Sequence, residues 1–301
     1  MFDIYAAVTD RIIAAMEEGN IPWHKPWAIN STKSEKADSR LMAVNHVSGK
    51  PYSLLNQMLL GGPGEYVSFK QCQEAGGKVK KGAKSSMVVF WKMIDSPETD
   101  KDGKPVIGSD GKQVVKTIPV LKYFNVFHID QCEGISPKHE AKVDPVKEEQ
   151  PTISPLEAGE RVIADYVSRS GVKFSTGIQD SAFYRPAADL ISIPHISQYK
   201  EAAEYYSTAF HEMVHSTGHK SRLDRLDRVA AFGSDDYSKE ELVAEIGSAA
   251  ICNRVGIETK TTFRNSVAYL QNWLAALKND KKLIVSAASR ADKAVCLIMN
   301  D

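Results

Sequence analysis

The chain is expected to fold as an α+β protein in two parts, the second mainly helical, and three observations predict it. Residues 86–129 read as two long strands joined by a polar arm with two Asp-Gly steps, Asp102-Gly103 and Asp110-Gly111, the signature of a hairpin. From Pro155 onward, apolar residues recur mostly at helical spacing. Between these parts lies SPKHEAKVDPVKEEQPTISP, residues 136–155, where four prolines and many charges leave almost no large apolar side chain, the composition of a linker. The expected division is 1–135, 136–155 and 156–301, and 301 residues are enough for two cores.

The elements follow in order. MFDIYAAVTDRIIAAMEEG forms an amphipathic helix. IPWHKPW, residues 21–27, has two prolines and two tryptophans and must be extended or turning. GKPYSLLNQMLLGG turns into a short helix that stops at Gly61 and Gly62, and a second short helix is expected near Ser68–Ala75. A lysine-rich connection then leads to strands at about Ser86–Ile94 and Lys116–Ile129. The later half opens with a helix at about Pro155–Ser168. AFYRPAADLISIP supplies two short strands around an Arg-Pro turn, and four helices follow, the last two near Ser266–Leu277 and Lys282–Met299. An edge strand just before the first of those helices would let an extended peptide pair with it.

Composition narrows the function classes. Lysine plus arginine and aspartate plus glutamate both number 38, so net charge is silent, but residues 1–130 hold 17 basic and 14 acidic side chains and the remainder is net acidic. Cys72, Cys132, Cys252 and Cys296 are scattered without CxxC spacing and read as free thiols. The N-terminal helix has acids in its apolar stripe, unlike a signal peptide, and no apolar run approaches the ~20 residues of a membrane span. A cytoplasmic protein without membrane partners is expected.

AFHEMVHSTGH, residues 209–219, sets His211, Glu212 and His215 in the HExxH pattern. Helical positions four apart lie on one face, so both imidazoles can converge on one divalent metal, with Glu212 beside it as general base. Zinc suits this donor set, and with one carboxylate added it keeps an open, catalytic position. YSKEELVAEIGSAAI, about thirty residues on, offers Glu241 and Glu245 one turn apart. In resemblance to zincins of the gluzincin kind, Glu241 is read as third ligand and Glu245 as the residue that orients His211. One alternative stays open: Ser238 and Glu241 could instead form a capping box, with Glu245 the ligand. His219 is too close to His215 for the metzincin pattern, and Gly218 should end the helix before it. Tyr205, Tyr206 and Tyr237 are candidates to stabilise an oxyanion, and Arg222, Arg225 and Arg228 either hold a substrate or pair with Asp224 and Asp227.

A second constellation suits single-stranded nucleic acid, which is held by cations along its phosphates and by rings under its bases. Lys70, Lys78, Lys80, Lys81, Lys84 and Lys92 face Glu74 alone within residues 70–92. Trp23, Trp27, Tyr52 and Trp91, with Phe69 and Tyr123, are the stacking candidates, Lys25 adds charge, and Asn56 is a candidate contact to a phosphate or base edge.

HKPW, GKPYSLLNQMLL, SFKQCQEAGGKVKKGAKSSMVVFW and YFNVFHIDQCEGI resemble the N-terminal single-stranded-DNA-binding domain of ArdC-type antirestriction proteins, a domain type also joined to conjugative primases. HEMVHSTGHKSRLDR with EELVAEIGSAA resembles the zincin-like metallopeptidase domain that follows it, and YLQNWLAALKND fits the tail. The resemblance implies a protein of a plasmid or mobile element that binds incoming single-stranded DNA during conjugation and protects it from restriction, with duplex DNA left open as a partner. The rival reading is a DNA-activated zinc protease with a protein substrate on DNA.

Overall fold

The computed structural model describes residues 2–23, 42–139, 155–226, 235–257 and 262–301. Helix α1 (Ile4–Glu17) starts where the Asp3 carboxylate accepts the Ala6 amide, and it buries Val8, Ile12, Ile13 and Met16 along one face. Strand β1 (Ala43–Asn45) leads to α2 (Leu54–Leu60), whose end is set by Gly61 in the left-handed conformation (φ 70°) that L side chains resist. Strand β2 (Gly64–Ser68) passes into α3 (Phe69–Glu74), which begins with a reciprocal Ser68–Gln71 capping box. After β3 (Lys78–Val79) come the long strands β4 (Ser86–Pro97) and β5 (Val115–His128), and then β6 (Cys132–Glu133).

The first sheet has order β1-β2-β5-β4, with β1 and β2 parallel and the remainder antiparallel, while β3 pairs with β6. Register from Ser86↔Val126 to Pro97↔Val115 makes β4 and β5 a ribbon reaching beyond the sheet. Asn56, expected to touch nucleic acid, is fully buried: its amide donates to the Val89 carbonyl and accepts the Val89 amide, both at 2.8 Å. It stands in for a strand partner on β4.

The later half begins with α4 (Pro155–Ser170). Strands β7 (Lys173–Gly177), β8 (Phe183–Arg185) and β9 (Leu190–Pro194) form a sheet of order β7-β9-β8. The strand that directly precedes the metal-motif helix is therefore central, and the edge near that helix belongs to β8, which runs antiparallel to β9. Among the described residues four α-helices follow: α5 (Ala202–Thr217), α6 (Asp235–Val255), α7 (Thr262–Asn279) and α8 (Leu283–Met299). Among the described residues no helix is long and apolar enough to cross a membrane.

One apolar core crosses the expected division. Val8, Ile12, Leu55, Leu59, Val89 and Leu121 belong to the same buried cluster as Phe210, Leu242, Leu277 and Val295. Trp23 packs edge-on against Trp273 with ring centres 5.6 Å apart. The Thr9 hydroxyl donates to the Lys281 carbonyl at 2.7 Å, and the Leu54 amide donates to Asp292 at 3.3 Å. The expectation of a separate core for each half thus gives way, because α1 and α2 spend their apolar faces on α7 and α8.

Candidate metal centre and nucleic-acid face

The metal motif lies on α5, whose buried face of Tyr205, Tyr206, Ala209, Phe210, Met213 and Val214 fixes its rotation. Helix α6 packs against it closely at Gly247, where a Cβ would come within 2.8 Å of Val214 Cγ2. That approach lets carboxylates of α6 reach the imidazoles. Each of His211, His215 and Glu241 offers a ligand atom, and all three atoms lie within 4.8 Å of one another. His211 Nε2 and His215 Nε2 are 3.1 Å apart, and each is 3.4 Å from a Glu241 oxygen.

The outward ring nitrogens are backed by two further acids. His211 Nδ1 faces Glu245 at 3.7 Å, and His215 Nδ1 faces Glu240 at 3.5 Å. Glu240 is held by Arg225, whose Nε lies 3.1 Å from both carboxylate oxygens and which also donates to the Thr217 hydroxyl at 2.6 Å. The motif did not single out Glu240, although its place beside Glu241 on the same helix was the available signal. Helix α6 begins at Asp235, so Glu241 lies in its second turn, and the capping-box alternative finds no helix start at Ser238.

Burial alone would lower both imidazoles, but the carboxylates outweigh it. His215 is pushed up to about 9 by Glu240 and Glu241, and His211 well above its ordinary value by Glu241 and Glu245. Conversely, burial raises Glu241 and Glu240, yet the two imidazoles hold Glu241 far below the usual carboxylate range, and His215 with Arg225 does the same for Glu240. The positive charge that this acid cluster stabilises is what a divalent cation would supply, and two nitrogens with one oxygen form a zinc-type donor set. Glu212, 8% exposed, sits on the same helix between the histidines.

Other expected residues fall elsewhere. His219 is beyond the helix end, its Nδ1 2.8 Å from the Ser221 hydroxyl. Arg222 pairs with Asp189 (3.0 Å from Nη1) and Arg225 with Glu240; Asp227, an expected partner, lies outside the described residues. Tyr205 and Tyr206 are buried, and Tyr206 donates to Glu160 at 2.8 Å. Arg228 and the side chain of Tyr237 lie outside the described residues.

Of the nucleic-acid candidates, Trp23 is only 2% exposed and Tyr52 6% exposed, and neither offers a ring face to a base. Lys25 and Trp27 lie outside the described residues. Lys70 is exposed and pairs with Glu74 at 3.5 Å. Lys78, Lys80, Lys81 and Lys84 are exposed along the turn that enters β4, with Lys80 Nζ donating to the Asp130 carbonyl at 2.8 Å. Trp91 and Lys92 are both exposed, but strand alternation sends them to opposite faces of the ribbon. Phe90 and Phe124, which the sequence did not single out, are exposed on the same ribbon.

Residues 2–127 match the family model of the N-terminal domain of anti-restriction factor ArdC, and residues 161–290 match that of a zincin-like metallopeptidase. The crystal structures of the antirestriction ArdC protein from plasmid R388 superpose with TM-scores of 0.71 (metal-free, 35% identity, covering 99% of this chain and 97% of that one) and 0.72 (Mn(II)-bound, 34% identity, 99% and 98%). The chain is 34% identical over 95% of its length to a DNA primase TraC of Escherichia coli, but spans only 26% of that protein. It is 29% identical to protein y4eC of Sinorhizobium fredii strain NGR234, covering 97% of this chain and 90% of that one.

Proposed function

The chain belongs to the ArdC antirestriction family, and from that premise we propose that it binds single-stranded DNA entering a cell during conjugation and shields it from host restriction in the cytoplasm. The observation that carries this reading is the run of exposed lysines at 78, 80, 81 and 84 leading into the β4–β5 ribbon, within the region matching the ArdC N-terminal domain. Phosphate neutralisation by such a cluster supports single strands and duplex alike, and stacking on rings favours single strands. The test is titration of labelled single strands and duplex across salt concentrations, alongside a restriction-protection assay during transfer. Loss of protection in a Lys78→Ala, Lys80→Ala, Lys81→Ala variant that retains its fold is expected; full protection by that variant refutes the reading.

The second half is read as holding one zinc ion through His211, His215 and Glu241. An ion so held would supply Lewis acidity there. Glu212, between the two histidines on α5, would then act as general base toward water and as acid toward a departing amine. An extended peptide would pair with the edge of β8 that no described strand takes. The close convergence of the three ligand atoms beside a buried Glu212 favours a second reading, a DNA-activated protease acting on DNA-bound proteins. Glu212→Gln separates the two: protection that survives with metal still bound excludes catalysis from the mechanism, and protection lost together with a chelator-sensitive, DNA-stimulated protease activity supports it.

A further inference from the structure

The β4–β5 ribbon has two faces that differ in charge, and the difference selects one of them. Along one face lie Phe90, Lys92, Lys122 and Phe124; along the other lie Trp91, Met93, Asp95 and Tyr123. The first face continues the small buried cluster of Tyr52, Tyr66, Val88 and Val126. Rings step outward from that cluster, with Tyr66–Tyr52, Tyr52–Phe90 and Phe90–Phe124 centres 6.4, 6.1 and 6.0 Å apart. The inner rings are buried, whereas Phe90 is 44% and Phe124 53% exposed. Lys122 stands opposite Phe90 in the ladder, Lys92 is the next residue of β4 on that face, and among the described residues neither lysine has a carboxylate partner.

The opposite face is built differently. Its inner residues Val89 and Leu121 belong to the main core, Phe2 lies beside the half-exposed Tyr123 with ring centres 5.0 Å apart, and its one charged ribbon residue is Asp95. An apolar partner protein would suit either set of rings. A ligand with flat apolar groups alternating with negative charge suits only the first, where half-exposed phenylalanines stand beside unpaired lysines. We propose that single-stranded nucleic acid lies on the Phe90–Phe124 face of the ribbon, bases on the two rings and phosphates against Lys92 and Lys122. This deepens the DNA-binding reading and rests on it: the inner ring ladder holds Phe90 and Phe124 in place before the strand arrives, so little side-chain freedom is lost on binding.

The experiment is fluorescence anisotropy of a labelled oligothymidylate with the full chain. Phe90→Leu and Phe124→Leu keep the apolar bulk but remove the rings, and each should weaken binding at least about fivefold with the salt slope unchanged. Lys92→Ala with Lys122→Ala should reduce that slope by about 1.4, two phosphates at ~0.7 each. Trp91→Leu and Tyr123→Leu, on the other face, should bind as the parent does. An intact chain that binds no single strand refutes the DNA reading and this inference together. An intact chain that binds, with both phenylalanine variants at parental affinity, overturns the inference alone. So does loss of self-association on sedimentation in those variants with DNA affinity retained, since the rings would then be an interface between copies.

Discussion

His211 and His215 turn the same nitrogen inward to Glu241 and the same nitrogen outward to a further acid, so the orientation of each ring is set twice. Replacing His211, His215 or Glu241 by Ala should abolish stoichiometric metal in elemental analysis. Glu245→Ala should retain metal with affinity lowered by about 10–100-fold, as for other residues that orient a ligand. Metal retained in Glu241→Ala and lost in Glu245→Ala would move the third ligand one turn along α6. Proton release is a separate check. Without metal the surrounding acids raise both imidazoles, His215 to about 9. A metal ion requires them neutral, so binding near pH 7 should release at least about one proton, read as a dependence of calorimetric enthalpy on buffer ionisation heat. A binding heat identical in phosphate and Tris would refute this.

At the scale of elements, positions are set by close approaches and buried pairs. Gly247→Ala would press a methyl on Val214. It should cost about 1–3 kcal/mol in denaturant unfolding and weaken metal binding with helix content kept; unchanged metal affinity would show that α6 adjusts without moving its acids. Elsewhere, Glu65 of β2 is buried against His46 and accepts the Lys138 and His139 amides, tying residues 136–139, expected as the start of a linker, to the first sheet. Burial works to raise the Glu65 carboxyl, but His46 and the two amides outweigh it and hold it below the ordinary range. Its folded value being depressed, its contribution is present above the unfolded glutamate value and is lost as pH falls below about 4. Removing one member of such a buried pair costs about 3–5 kcal/mol, so Glu65→Gln should be destabilised and more open to protease after residue 135 at neutral pH. Equal cleavage rates in parent and variant would contradict this.

For the whole molecule, the shared core of α1, α2, α7 and α8 predicts one cooperative thermal transition rather than two. Trp273→Ala removes a nearly buried ring that touches Trp23, and should lower stability by about 3–5 kcal/mol while shifting circular dichroism and metal-site probes together. Two separated transitions, with only one moved by Trp273→Ala, would show that the halves melt independently. Residues 1–135 expressed alone would expose the faces of α1 and α2 that α7 and α8 cover, so nucleic-acid binding is best measured on the full chain.

What the sequence determined by itself is local. HEMVH needs only helical periodicity to align two imidazoles, and Gly61, Gly218 and the Asp-Gly steps announce their turns because backbone preference acts within a few residues. The α+β class, the long hairpin and the helices of the second half were legible for the same reason. Pairing partners far apart in the chain were not. Short strands β1, β2, β3, β6 and β7 are too brief for periodicity to reveal them. The clamp of Arg225 on Glu240 joins residues whose separation carries no pattern. Aromatic residues show the limit most clearly: Trp23 and Tyr52 read as stacking rings and are buried, while Phe90 and Phe124, which nothing in the sequence singled out, are half-exposed. Composition records how much apolar surface a chain has, and only the tertiary structure decides which of it is covered, because burial is a property of distant segments meeting.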